Sequence, residues 1–238
     1  MTFKAIVNSN AATIITPKQP TSLFSDKLSY GKASVIDWGT PSWLYDELYK
    51  VFGASMIGLY VGEDIIYDSS NNVTSWPGRI GGTLTNISVN RFQLVKSPRF
   101  CISATDPTTQ KGLQCLGTGI KSVISVAEIN SLPANATQYL ISSTAVNEIL
   151  AVSGTTSVWF SGGATFYKDG VNTNVLSLNN HIYEATTNST WSNIVLGGLT
   201  IATVPWRGKI SLILELTSIP TASQRISYVN ILNTYYGM

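Results

Sequence analysis

From Ser55 to Leu216 the period of the sequence is that of strands. Short runs of β-branched, aromatic and aliphatic residues alternate with clusters of Gly, Asn, Asp and Ser, which are the residues that turns require. The runs fall at 57–61, 120–128, 138–143, 148–152, 157–160, 164–168, 175–178, 182–186, 192–196 and 209–216. Between two of them, Lys168-Asp-Gly-Val171 is a tight-hairpin signal, because Asp-Gly supplies the two positive φ angles of a type I′ turn. About ten short strands with little helix between them imply a two-sheet sandwich.

Helix is expected only at the flanks. Thr40 followed by Pro41 offers an N-cap and a first helical residue, and Leu44, Leu48, Val51 and Phe52 recur at helical spacing up to Gly53. Thr221-Ala-Ser-Gln224 fits a capping box. Val229, Leu232 and Tyr236, flanked by Tyr228 and Tyr235, then form an apolar stripe that Gly237 closes. Before residue 40, runs such as Ala5 to Val7 and Ala12 to Ile15 are broken by Pro17, Pro20 and polar residues, and read as an extended arm rather than packed strand pairs. The domain organisation expected is an arm with a short helix over 1–53 and a β-sandwich over 54–238.

Composition narrows the function. The 238 residues are 44% hydrophobic and 12% charged, so Ser, Thr, Asn and Gly cover the surface, as suits a protein whose outside is largely occupied by neighbours. A net charge of +2 is too small to make nucleic acid the main partner, although Arg79, Arg91, Lys96 and Arg99 fall in an interval with no acidic residue. No run approaches the roughly 20 apolar residues of a membrane span. Met1 to Pro17 lacks the pattern of a signal peptide, so the chain is expected to stay where it is made, and its four Asn-x-Ser/Thr sequons read as chance. Two cysteines, Cys101 and Cys115, and one histidine, His181, do not make a zinc site; both thiols are expected to be free, and no metal or cofactor is expected.

Four segments in order carry a family resemblance. Gly58-Leu-Tyr-Val-Gly-Glu-Asp64, Val73-Thr-Ser-Trp-Pro-Gly-Arg79, Phe166-Tyr-Lys-Asp-Gly-Val171 with Leu196-Gly-Gly198, and Trp206-Arg-Gly-Lys-Ile-Ser211 with the terminal Arg225 and Tyr235-Tyr-Gly237 resemble the concanavalin A-like (laminin-G-like) domains of phage and bacterial surface proteins. The likeness covers about residues 56 to 238 and implies an all-β, two-sheet concanavalin A-like jelly-roll sandwich with a C-terminal α-helix. It also implies a non-enzymatic virion component, a capsid decoration, head-fibre or tail and baseplate protein. Such a protein is assembled in the host cytoplasm, bound to other virion proteins and repeated as a homo-oligomer or on a capsid or tail. Glucanases of that fold carry a Glu-x-Asp-x-x-Glu strand that presents two carboxyls to one cleft; this chain has none, and Glu63 and Asp64, being adjacent, would point to opposite faces of a strand. The calcium sites of some relatives need more carboxylates than Asp68 with Asn71 and Asn72 provides, so Asp68 reads as the cap of an Asx-turn.

Partner docking is expected through Phe24, Trp38, Trp43 and Leu44, apolar residues without the alternation that a sheet would bury. A lectin-like module for host surface glycans is the second reading, with Trp191 as the stacking platform and Asn188 beside it; a glycan-cleaving enzyme is the third, disfavoured by the missing carboxyl pair. Trp76, Trp159 and Trp206 more often fill a core.

Overall fold

The computed structural model describes residues 3–8, 11–15, 29–30, 33–34, 40–87, 90–96, 99–103, 112–114, 117–129, 137–143, 150–153, 159–160, 164–175, 177–197 and 204–238. In chain order the main strands are β1 (Met56–Val61), β2 (Val73–Pro77), β3 (Thr83–Asn86), β4 (Gln93–Val95), β5 (Cys101–Ser103), β6 (Leu113–Gln114), β7 (Ile120–Ile129), β8 (Thr137–Ser143), β9 (Leu150–Ser153), β10 (Thr165–Lys168), β11 (Asn180–Trp191), β12 (Ile194–Leu196) and β13 (Gly208–Leu216). Helix α1 (Pro41–Phe52) precedes them and α2 (Ala222–Tyr236) follows.

Among the described residues the strands form two large sheets. The first runs from the edge strand Val171–Asn172 through β10, β11, β7, β13 and β5 to β4, and β1 also pairs with β13. The second runs from Trp159–Phe160 through β9, β8, β12, β6, β3 and β2 to Ile66–Tyr67, with Val204–Pro205 added to β8 as a parallel pair. The sheets are stitched together along one side, where Val73 N–H donates to Phe92 O (2.8 Å) and Leu94 N–H to Asn71 O (2.8 Å). This is the expected all-β two-sheet sandwich with a C-terminal helix.

Two cores result, one on each face of the first sheet. Between the sheets lie Tyr60, Trp76, Phe92, Tyr183, Trp191, Trp206 and Ile213. Indoles can sit there because their N–H groups find acceptors: Trp76 Nε1 donates to Val61 O at 2.8 Å and Trp206 Nε1 to Glu128 O at 3.2 Å. On the outer face, Leu212, Leu214 and Leu216 of β13, with Ile124, Val126 and Ile182, pack against Leu44, Leu48 and Phe52 of α1 and Tyr228, Leu232 and Tyr235 of α2. Because strand side chains alternate, β13 serves both cores at once, which explains its near-continuous apolar run.

Local chemistry fixes the joints. Asp169 (φ 50°) and Gly170 (φ 80°) make the type I′ hairpin, with Lys168 opposite Val171. The capping box of α2 is complete: Thr221 Oγ1 accepts from Gln224 N–H (3.2 Å), Gln224 Oε1 accepts from Thr221 N–H (2.9 Å), and Gly237 ends the helix in the left-handed region. Thr40 caps α1 by accepting from Trp43 N–H at 3.2 Å.

Four expectations are corrected. Helix α1 is not part of an outlying arm: its i, i+4, i+8 residues Leu44, Leu48 and Phe52 are buried on the protein's own sheet, so the boundary at residue 53 does not separate it from the sandwich. Phe3–Asn8 and Ala11–Ile15 are a strand pair rather than lone extended chain, since two β-forming runs only two residues apart can exchange backbone hydrogen bonds directly. Of the expected strand 175–178, Val175 is a lone bridge residue and Ser177 and Leu178 are not in a strand; Val175 and Leu178 stand exposed. The buried stripe of α2 is Arg225, Tyr228, Leu232 and Tyr235, rotated from the purely apolar reading because Arg225 is drawn inward by a carboxylate on β11.

Because α1 closes the outer core, Leu48→Ala should destabilise the protein by about 2–5 kcal/mol in urea denaturation, as for other buried Leu truncations. A chain starting at Thr40 should keep the melting temperature of the full chain, and one starting at Ala54 should melt lower and aggregate.

Candidate functional site

The chemistry available to this protein rests on where it places its carboxylates. Nine of the acidic residues are described, and seven of them are in ion pairs: Glu47, Glu63, Asp64, Asp68, Glu128, Asp169 and Glu184. Asp46 lies exposed on α1, and Glu215 is buried.

The most deeply placed pair joins α2 to the first sheet. Glu184, on β11, is fully buried and receives Arg225 in a two-pronged contact, Nη2 to Oε1 at 2.8 Å and Nε to Oε2 at 3.0 Å. Tyr228 adds its hydroxyl to Oε2 at 2.5 Å, and the Arg225 guanidinium lies 3.6 Å from the centre of the Tyr167 ring. Burial, then the Glu184 charge, push the Tyr228 hydroxyl well above its ordinary range, so it serves as a donor and not as a base.

Glu63 and Asp64, adjacent in a turn of 3-10 helix (Gly62–Asp64), are held apart by separate arginines. Arg79 grips Asp64 through Nε (2.6 Å) and Nη2 (2.8 Å), while Arg99 reaches Glu63 at 3.1 Å, donates to Tyr235 O at 2.8 Å and lies over the Tyr235 ring. The basic interval read in the sequence is therefore spent, in part, on tying loops to the end of α2. Asp68 caps its turn as expected: Oδ1 accepts from the backbone of Ser70 and Asn72, each at 2.9 Å. Those bonds, the Asn72 backbone N–H foremost, hold its carboxyl below the ordinary value. His181 is likewise taken up, its Nδ1 lying 2.7 Å from Asp169 Oδ2 across the base of the Asp-Gly hairpin. Burial raises the Cys101 thiol to about 11, which leaves it a packed apolar group at neutral pH; Cys115 lies outside the described residues. Among the described residues no group of three or more His, Cys, Asp and Glu is placed to hold a metal ion, and no helix is long and apolar enough to cross a membrane.

The residues singled out from sequence do not converge on one surface. Phe24 and Trp38 lie outside the described residues. Leu44 is fully buried within the protein, and Trp43 is half-buried with its ring stacked on Tyr235 at 6.4 Å, so α1 spends both on its own sandwich. Trp191 is 2% exposed and pairs in register with Ile120, facing the core between the sheets, which removes it as a stacking platform; Asn188, three residues earlier on β11, is exposed. The side chain of Trp159 is not among those described.

What the surface does offer was not legible in advance. Val171, Val175 and Leu178 are each exposed at and beyond the edge hairpin, and a shallow groove of about 420 Å³ runs between α1 and α2, lined by Glu47, Lys50, Val51, Gln224 and Ile231 among others. The groove depends on how two helices far apart in sequence come to lie side by side, and no local pattern encodes that.

No family model matches the chain, and no curated protein matches it. Among solved structures, a mutant of Trypanosoma rangeli sialidase displaying trans-sialidase activity aligns with 82% of this chain at 11% identity and a TM-score of 0.46. The chain spans 38% of the length of that sialidase.

Removing one side of the Glu184–Arg225 contact leaves a charge buried without a counter-ion. Glu184→Ala should cost about 3–5 kcal/mol by chemical denaturation, and Tyr228→Phe, which loses one hydrogen bond to a charged group, about 1.5–3 kcal/mol.

Proposed function

We propose that this protein is a non-catalytic structural and adhesive module of a larger assembly, a phage particle being the case the sequence resemblance implies, and that it joins its neighbours through the segment before Thr40. The observation that carries this reading is the use made of the carboxylates. Glycoside hydrolysis by the usual route needs two carboxyls about 5 to 10 Å apart with divided acid and base roles. Here Glu63, Asp64, Asp68, Glu128, Asp169 and Glu184 each hold a cation or a turn in place instead. Charges used this way make a rigid, sparsely charged body suited to repeated packing. Leu44 and Trp43 pack on the protein's own sandwich, so the docking role in this proposal falls to Phe24, Trp38 and the Phe3–Asn8 and Ala11–Ile15 strand pair.

The test is incorporation. A variant lacking residues 1–39 should fold with an unchanged far-UV spectrum, show no turnover on polysaccharides, and be missing from purified particles analysed by mass spectrometry. Incorporation of that variant at the level of the full chain would refute the docking role. Polysaccharide cleavage lost on Asp64→Asn or Glu63→Gln would refute the non-catalytic one.

A further inference from the structure

Glu215 differs from the other described carboxylates. It lies on β13 with 2% of its surface exposed, and its Oε1 accepts no hydrogen bond. In register it faces Gly58 on β1 and Val123 on β7. The absence of a side chain at Gly58 is what makes room for it: a Cβ there would lie 2.4 Å from Glu215 Oε2 and 3.2 Å from Glu215 Cβ. Gly117 borders the same space, with Oε2 3.8 Å from where its Cβ would be. The carboxyl is thus packed against the backbone of β1 at the point where the β1–β13 register slips, between Glu215 and Leu216. Just beyond, Thr217 N–H donates to Ser55 O (2.9 Å), the residue that links α1 to β1.

The charges around this carboxyl are few. Strand β1 carries no charged residue, and Tyr60 is its one titratable group. Gly117, Thr118 and Gly119 carry none, and the 78–82 loop, which packs Gly81 against Gly58, carries Arg79, paired with Asp64. On β7 the charged residues are Lys121 and Glu128, and Glu128 is paired with Lys209.

We propose that Glu215 is a proton-operated catch: with its carboxyl neutral it packs against Gly58 and holds β1 on β13, and when it ionises it admits water and loosens β1, and α1 with it, from the sheet. An unpaired charge in such a place costs far more than a neutral acid, which hydrates weakly by comparison. Burial alone accordingly lifts the carboxyl from an ordinary 4.5 to about 7. The sign follows from linkage. A closed state that binds the proton more tightly than the open one is favoured in full below about 4.5, loses that advantage as pH rises from about 4.5 to about 7, and changes no further above. Opening of β1 should grow by up to about tenfold per pH unit within that window.

Amide hydrogen exchange of Met56–Val61, corrected for intrinsic rates, should accelerate between pH 5 and pH 7 in the wild type, and the melting temperature should fall over the same interval. Glu215→Gln, which keeps the shape without the charge, should flatten both trends. Wild-type and Glu215→Gln profiles that run parallel would overturn the proposal. Should that variant fail to fold, carbon-13 titration of the Glu215 carboxyl in the wild type decides the matter: a midpoint near 7 supports the catch, and one below 5 refutes it.

Discussion

The contact between Glu184 and Arg225 decides whether this sandwich has a second core. Helix α2 presents a stripe made largely of aromatic rings around one arginine, and its outward face carries an exposed Ile226, so hydrophobic matching alone does not fix its rotation on the sheet. The two-pronged Arg225–Glu184 contact fixes it, because other rotations strand a charge in an apolar layer. Once α2 is set, Tyr228, Leu232 and Tyr235 are in place to receive Phe52, Leu48 and Trp43 of α1. Without the two helices, Ile124, Val126, Ile182, Leu212, Leu214 and Leu216 would form one exposed apolar face on the first sheet.

Parts of this structure were legible in the sequence because a short stretch of chain carries its own hydrogen-bonding partners. Thr221 and Gln224 satisfy each other within one turn, and Asp169-Gly170 needs no distant residue to make its hairpin. Strands β7 and β13, and β11 over 182–186, were legible because burial on one or both faces imposes a composition that shows over many residues. The segments that escaped notice, β2 to β6, are two to five residues long, too short for a period to emerge. What the sequence withheld altogether were pairings across distance: Arg225 with Glu184, Arg99 with Glu63, and the seat of Trp43 on Tyr235. Trp43 and Trp191 were read as surface residues because nothing near them announces the element that covers them.

The distribution of charge has a unity of its own. A chain with 13 acidic and 15 basic residues has few to spend, and among the described residues most acidic groups sit at a joint: β13 to β7 through Lys209 and Glu128, the 3-10 turn to α2 through Glu63 and Arg99, the hairpin to β11 through Asp169 and His181. Such a surface is weakly charged.

Strand β13 stands between β7 on one side and β1 and β5 on the other, yet it follows all of them in the chain. During synthesis the earlier strands leave the ribosome without the element that joins them, and Val61 must wait for Leu212 to emerge before it can pair. At roughly 5–20 residues per second, that leaves tens of apolar side chains unsheltered for many seconds. A nascent chain of this design depends on whatever shields it in the interval, and a product cut short before residue 208 lacks the strand that joins β1 and β5 to β7.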